Sequence, residues 1–169
     1  MKPGERLSKL VLSLSDSKIK NMSSYRQHLY HLVIRTKDSL PVINQDHAGQ
    51  LYSYISGIVK NKNSHLYWIN GVENHFHILT DMHASIAPAD FLKELKVSTS
   101  IWMKRDDLFP LFKGWSDGYG SFTCSYRDLE RLVDYVKNQQ EHHKKHTFEQ
   151  EYRRLIEESG LKIDERFFP

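Results

Sequence analysis

Cysteine is nearly absent: Cys124 stands alone among 169 residues. One thiol forms no intramolecular disulfide and builds no cysteine-based zinc cluster. That suits a reducing, cytoplasmic setting. Long apolar runs are missing too. Nothing approaches the roughly 20 residues of a membrane span. Leu10-Val11-Leu12-Ser13-Leu14 is too short and too polar in its surroundings for a secretion signal. No glycine-rich phosphate loop is present, so no nucleotide cofactor is expected. Repeats, low-complexity tracts and interdomain linkers are likewise missing. Strong charge of one sign is lacking as well. Lys plus Arg is 24 and Asp plus Glu is 21, a net +3 with ten His neutral, which permits nucleic-acid binding without arguing for it. A chain of this length holds one domain with a real core. Residues 1–21 read as a mobile N-terminal extension, Met22 as the functional start, and 22–169 as a single domain.

Histidine is what the chain does have, and Glu73-Asn74-His75-Phe76-His77-Ile78-Leu79-Thr80 organises it. The run reads as a strand, in which successive side chains point to opposite faces. His75 and His77 then share one face while Phe76 and Ile78 enter a core. Two imidazoles at that spacing can hold one metal ion. Asn70-Gly71 lies just upstream, and such a pair favours a tight hairpin turn. Leu129, Leu132, Val133 and Val136 fall at helical spacing. Tyr135 and Gln139, four apart, stack beside that stripe. Ser125 or Asp128 is positioned to cap this helix.

Around these, Tyr25–Thr36 reads as a first strand, with helix-start chemistry at Asn44-Gln45-Asp46 and an apolar stripe through Leu51, Tyr52, Ile55, Ile58 and Val59. Pro88 suits the first turn of a second helix. Trp115–Ser125 reads as a glycine-broken aromatic strand. Phe148–Ser159 is amphipathic and Gly160 ends it. His142, His143 and His146 read as exposed helix-end histidines, since cations suit a helix C-terminus, with a structural zinc site as the alternative.

The ordered set resembles the single-tyrosine HUH transposases of bacterial and archaeal insertion sequences, small IS-type proteins. The resemblance runs from about Met22 to the C-terminus. It is carried by His31-Leu32-Val33 with Thr36-Lys37 and Pro41-Val42, His75-Phe76-His77, Leu95-Lys96 with Ser98-Thr99-Ser100 and Trp102, Trp115 with Gly118-Tyr119-Gly120 and Phe122, and Tyr135 with Gln139 and Glu141-His142-His143-Lys144. Asp38-Ser39 departs from it, since many relatives carry an aromatic and a basic residue there.

The resemblance implies an α+β fold, with a ferredoxin-like or RRM-like antiparallel sheet, helices mainly on one face and the His-X-His motif on a central strand. It implies a DNA transposase that binds hairpins at insertion-sequence ends and cleaves and rejoins single-stranded DNA. Tyr135 would be the nucleophile of a 5′-phosphotyrosine intermediate. His75, His77 and Gln139 would hold a divalent ion, magnesium or manganese. Lys96, Lys37 and Arg35 would contact DNA. It further implies a cytoplasmic homodimer with composite active sites, the tyrosine helix of one subunit completing the histidine site of the other. The alternatives are a domesticated relative that binds or nicks repeated palindromes, a metal-dependent hydrolase acting through water, and a non-catalytic nucleic-acid-binding protein.

Overall fold

Alternation along two neighbouring strands gives the sheet two buried faces of different chemistry. A computed structural model describes residues 25–105, 107–166 and 168. The expected extension at 1–21 lies outside the described residues. Strand β1 (Leu29–Arg35), helix α1 (Ala48–Asn61), strand β2 (His65–Val72), strand β3 (His75–Asp81), helix α2 (Pro88–Arg105) and strand β4 (Gly120–Thr123) follow in order. The strands lie in the order β2-β3-β1-β4, and every pairing is antiparallel. This is the β-α-β-β-α-β ferredoxin-like arrangement, and it sets the histidine strand β3 inside the sheet. Helices α3 (Leu129–Lys137), α4 (Gln139–His143) and α5 (Phe148–Glu158) follow. Among the described residues no helix is long and apolar enough to cross a membrane.

On one face, Leu32, Ile34, Phe76 and Ile78 pack against Leu51, Ile55 and Val59 of α1 and Phe91, Leu92 and Leu95 of α2. Burying each such side chain fully stabilises the fold by about 1.5–3 kcal/mol. The two long helices thus share one face, as expected. The opposite face carries His31, Val33, His75, His77 and Leu79. Leu129, Val133 and Val136 of α3 cover Leu29 and Leu79, and Phe148 of α5 covers Val33 and Phe122.

The hairpin turn is not where Asn70-Gly71 suggested. Both residues lie inside β2, where Asn70 pairs with His77 and Gly71 with Phe76, and the two-residue turn is Glu73-Asn74. Neither turn residue takes positive φ. Gly71 is needed for space instead: a Cβ there would sit 2.2 Å from the His75 carbonyl oxygen and 2.5 Å from the Phe76 Cα. Asn70 is occupied elsewhere. Its amide nitrogen donates to the Lys137 carbonyl (2.9 Å) and to Gln140 Oε1 (3.0 Å), and Gln140 donates back to Asn70 and to the Gly71 carbonyl. The pair therefore docks the α3–α4 junction onto the sheet.

The expected strand at Trp115–Ser125 shortens to Gly120–Thr123, with only an isolated bridge from Trp115 to Thr36. Trp115 is drawn into the core. Its indole N–H donates to Thr99 Oγ1 at 2.9 Å and its ring packs on Phe76 and Phe112. The first strand begins at Leu29, later than Tyr25. Asn138 breaks the tyrosine-bearing helix into α3 and α4. Ser125 caps the 3-10 turn ahead of α3, accepting from the Arg127 N–H. A capping box between Thr147 and Gln150 starts α5. Gly160 ends it at φ 72, where the Gly160 and Leu161 N–H groups close a Schellman motif on the Glu157 and Ile156 carbonyls.

Candidate functional site

Three imidazoles from two elements converge on one carboxylate oxygen. Strand β3 turns His75 and His77 to the same face, and both are fully buried. Their Nε2 atoms lie 3.2 and 3.4 Å from Glu151 Oε2. His143 Nε2, from α4, lies 3.0 Å from the same oxygen. Ligand atoms bound to one dication at about 2.0–2.2 Å stand about 3.0–3.4 Å apart. His75, His77, His143 and Glu151 are thus spaced as a group that can hold a metal ion.

The outward nitrogens sharpen this. His75 Nδ1 is 2.7 Å from Asn74 Oδ1, and His143 Nδ1 is 2.9 Å from the His146 carbonyl oxygen. Both oxygens only accept, so both Nδ1 atoms carry the hydrogen. In a neutral ring the Nε2 then offers a lone pair, and a lone pair aimed at a carboxylate repels it unless a positive charge lies between. Burial holds the His75 imidazole down, to about 4, so no proton sits there at neutral pH. Burial also pushes the Glu151 carboxyl up, but the His143, His75 and His77 rings set against it outweigh that and hold it well below the carboxylate range. For this His75 would need a proton that burial of its ring removes. A bound cation reconciles the two, and the residues fit one. His77 Nδ1 lies 2.8 Å from His31 Nε2 on β1, a ring that burial first, then His77, lowers to about 3.

The other carboxylate oxygen faces the tyrosine helix. Tyr135 Oη donates to Glu151 Oε1, and Gln139 Nε2 donates to it at 2.9 Å. Gln139 Oε1 is buried without a hydrogen-bond partner. The Tyr135 ring meets His77 and His31 edge-on at 6.0 and 6.2 Å. Burial, then the Glu151 charge, raises the Tyr135 phenol above its ordinary value, so it is protonated at neutral pH. An open pocket of about 310 Å³ reaches Tyr135 and Glu151 from outside, lined also by Arg131, His142 and Arg154.

The structure brings Tyr135, Gln139, His75 and His77 together within one chain. In this single chain the Asn70–Gln140 bonds hold the junction after Tyr135 on its own sheet, and a composite site with a partner's tyrosine stays an expectation. Gln139 reaches the histidine pair through Glu151. Arg35 pairs in register with His75 and is tied to Ser39 and Ser116 Oγ, each at 2.9 Å. Lys37 is exposed. Lys96 donates to the Asp117 carbonyl at 2.9 Å and lies over the Tyr119 ring. Asp38 and Ser39 take positive φ, 57 and 53.

His142 and His143 are corrections to the reading as exposed histidines. Their side chains are 19% and 11% exposed and turn toward Glu151. The spacing Tyr135, Gln139, His142 and His143 continues one helical face past Asn138, and that signal was available. Glu151 is one of several acidic residues of α5. Its signal was a carboxylate on an apolar stripe, three after Phe148 and four before Leu155.

A family model described as "Transposase IS200 like" matches residues 24–139. His143 and Glu151 lie beyond that match. Two solved structures share the fold. One is a candidate transposase from Deinococcus radiodurans R1, with 22% identity, 71% of this chain and 96% of that chain covered, and a TM-score of 0.56. The other is a REP-associated tyrosine transposase bound to a REP hairpin, with 13% identity, 72% and 74% covered, and a TM-score of 0.55. No curated protein matches the chain.

Proposed function

The chain belongs to the IS200-like transposase family, and on that footing we propose that it cuts and rejoins single-stranded DNA through a covalent bond to Tyr135. One observation carries this reading: the Tyr135 hydroxyl and the buried His75–His77 pair meet at a single carboxylate on one face of the sheet. A nucleophile and a cation site side by side are what phosphodiester exchange requires.

The Tyr135 oxygen attacks the scissile phosphorus as the bond to the 3′ oxygen breaks. The products are a 5′-phosphotyrosine and a free 3′-OH. The phenol loses its proton as the P–O bond forms, and the 3′ oxygen gains one as it leaves. Attack by a 3′-OH on the phosphotyrosine reverses the balance, joins strands and restores Tyr135 without a nucleotide cofactor. His75 and His77, with the free Oε1 of Gln139 close by, would hold a divalent cation, magnesium or manganese. When bound, that ion supplies charge neutralisation for the non-bridging phosphate oxygens. Glu151 accepts the Tyr135 O–H and fixes where its oxygen points. Arg35, Lys37 and Lys96 would meet the DNA backbone, although Arg35 and Lys96 are already tied to protein oxygens here. The REP-hairpin complex of a fold relative supports hairpin DNA as the substrate.

The test uses full-length protein, manganese and labelled single-stranded oligonucleotides carrying the palindromes that flank the coding sequence. A protein–DNA adduct stable to denaturation is expected, and Tyr135→Phe should lack it. Cutting without an adduct would mean attack by water and would refute the reading.

A further inference from the structure

We propose that the cation site of this chain is completed by His143 and Glu151, takes a transition-metal dication in preference to magnesium, and so clasps the C-terminal helix to the sheet. This rests on the reading that His75 and His77 hold a cation.

The donor set comes first. His75, His77 and His143 each direct Nε2 at Glu151 Oε2, at 3.2, 3.4 and 3.0 Å. Each Nδ1 is engaged on its far side, by Asn74 Oδ1, His31 Nε2 and the His146 carbonyl respectively. A ligating imidazole is held this way, with its second nitrogen tied to an outer acceptor that fixes ring and tautomer. Only Nε2 then faces inward. The His75 and His77 Nε2 atoms are buried without a hydrogen-bond partner.

The chemistry of that set selects the metal. Three imidazole nitrogens and one carboxylate oxygen suit zinc, cobalt or manganese. Magnesium favours an octahedron of oxygens and keeps several waters, which three buried nitrogens do not offer.

The positions of the ligands give the consequence. His143 closes α4 and Glu151 lies in the first turn of α5, with only 144–147 between the helices. A shared ion therefore joins β3, α4 and α5. Phe148 adds a ring contact to His75 at 4.5 Å. Gln139, whose amide holds Glu151 Oε1 at 2.9 Å, acts in this arrangement as a positioning residue for the carboxylate.

Metal-free, full-length protein titrated with cobalt tests this, read by visible absorption and followed by competition with zinc, manganese and magnesium. Wild type should give the strong bands of a four-coordinate site, lost to zinc and unmoved by millimolar magnesium. Glu151→Gln keeps the shape of the side chain, and His143→Gln keeps a polar group in place. Each should weaken cobalt binding about tenfold or more, and Gln139→Ala less than either. Circular dichroism of each metal-free variant establishes that it folds, and Glu151→Asp replaces one that does not. Proteolysis within 144–147 should slow on adding zinc to wild type, but not to Glu151→Gln. Wild-type binding by both Glu151→Gln and His143→Gln, with loss in His75→Ala, would overturn the four-ligand site and leave the histidine pair standing. Magnesium displacing cobalt would overturn the metal preference. Unchanged binding in a His75→Ala, His77→Ala double variant would refute the underlying reading as well.

Discussion

Tyr135 on α3 donates its hydroxyl to Glu151 on α5, and the same carboxylate stands within 3.4 Å of the His75 and His77 Nε2 atoms on β3. One side chain thus links nucleophile and cation site. Tyr135→Phe removes one of several bonds to Glu151, so the stability loss should be about 1 kcal/mol. Cleavage of a single-stranded hairpin should fall at least about a thousandfold, while binding by gel shift stays near wild type. Residual cutting at the wild-type rate on a denaturing gel would point to another nucleophile.

Glu151→Ala should be far more costly to the fold. It strips Tyr135 and Gln139 of an acceptor in a buried setting. Removing one partner of a buried charged network costs about 3 kcal/mol or more. Urea unfolding of the metal-free protein measures this, and a loss below about 1 kcal/mol would mean that water replaces the carboxylate freely.

Gly71→Ala tests the register of the histidine hairpin. Its new Cβ meets backbone of β3 that cannot step aside. Destabilisation of about 3 kcal/mol or more is expected from overpacking, well beyond the roughly 1 kcal/mol scale of glycine conformational freedom. A thermal shift matching the smaller figure would place Gly71 in a turn and shift His75 in the pairing.

Acid should loosen the metal-free protein through its buried rings. His31 is lowered to about 3 by burial first and His77 second, and His75 to about 4. Between those values and about 6.5 the unfolded chain binds protons that the native one refuses, so stability rises with pH across that window. Tm should therefore drop from about pH 7 to about pH 5. His31→Gln should flatten that slope, and an equal slope in the variant would move the origin elsewhere.

Mixing a Tyr135→Phe chain with a His75→Ala, His77→Ala chain asks which subunit serves which site. The Asn70–Gln140 pair holds the tyrosine junction on its own sheet, so the mixture should stay inactive. Recovered cleavage after proven subunit exchange would show that the junction releases and docks on a partner.

What the sequence determined by itself is local and periodic. Period two along 75–80 puts both histidines on one face, and strand pairing preserves it. The apolar stripe of 129–136 and the four-residue step from Tyr135 to Gln139 follow from helical geometry, and Gly160 stops α5 by its freedom at positive φ. Three decisions belong to tertiary structure, because each depends on atoms far apart in the chain. Gly71 is required by the close approach of β3 and not by a turn. The helix breaks at Asn138, so α4 continues the tyrosine face and turns His143 inward. Glu151, sixteen residues beyond Tyr135, looks like one more acid on an amphipathic helix until α5 packs over β1 and β4. Only then does its carboxylate lie among four imidazoles, an amide and a phenol.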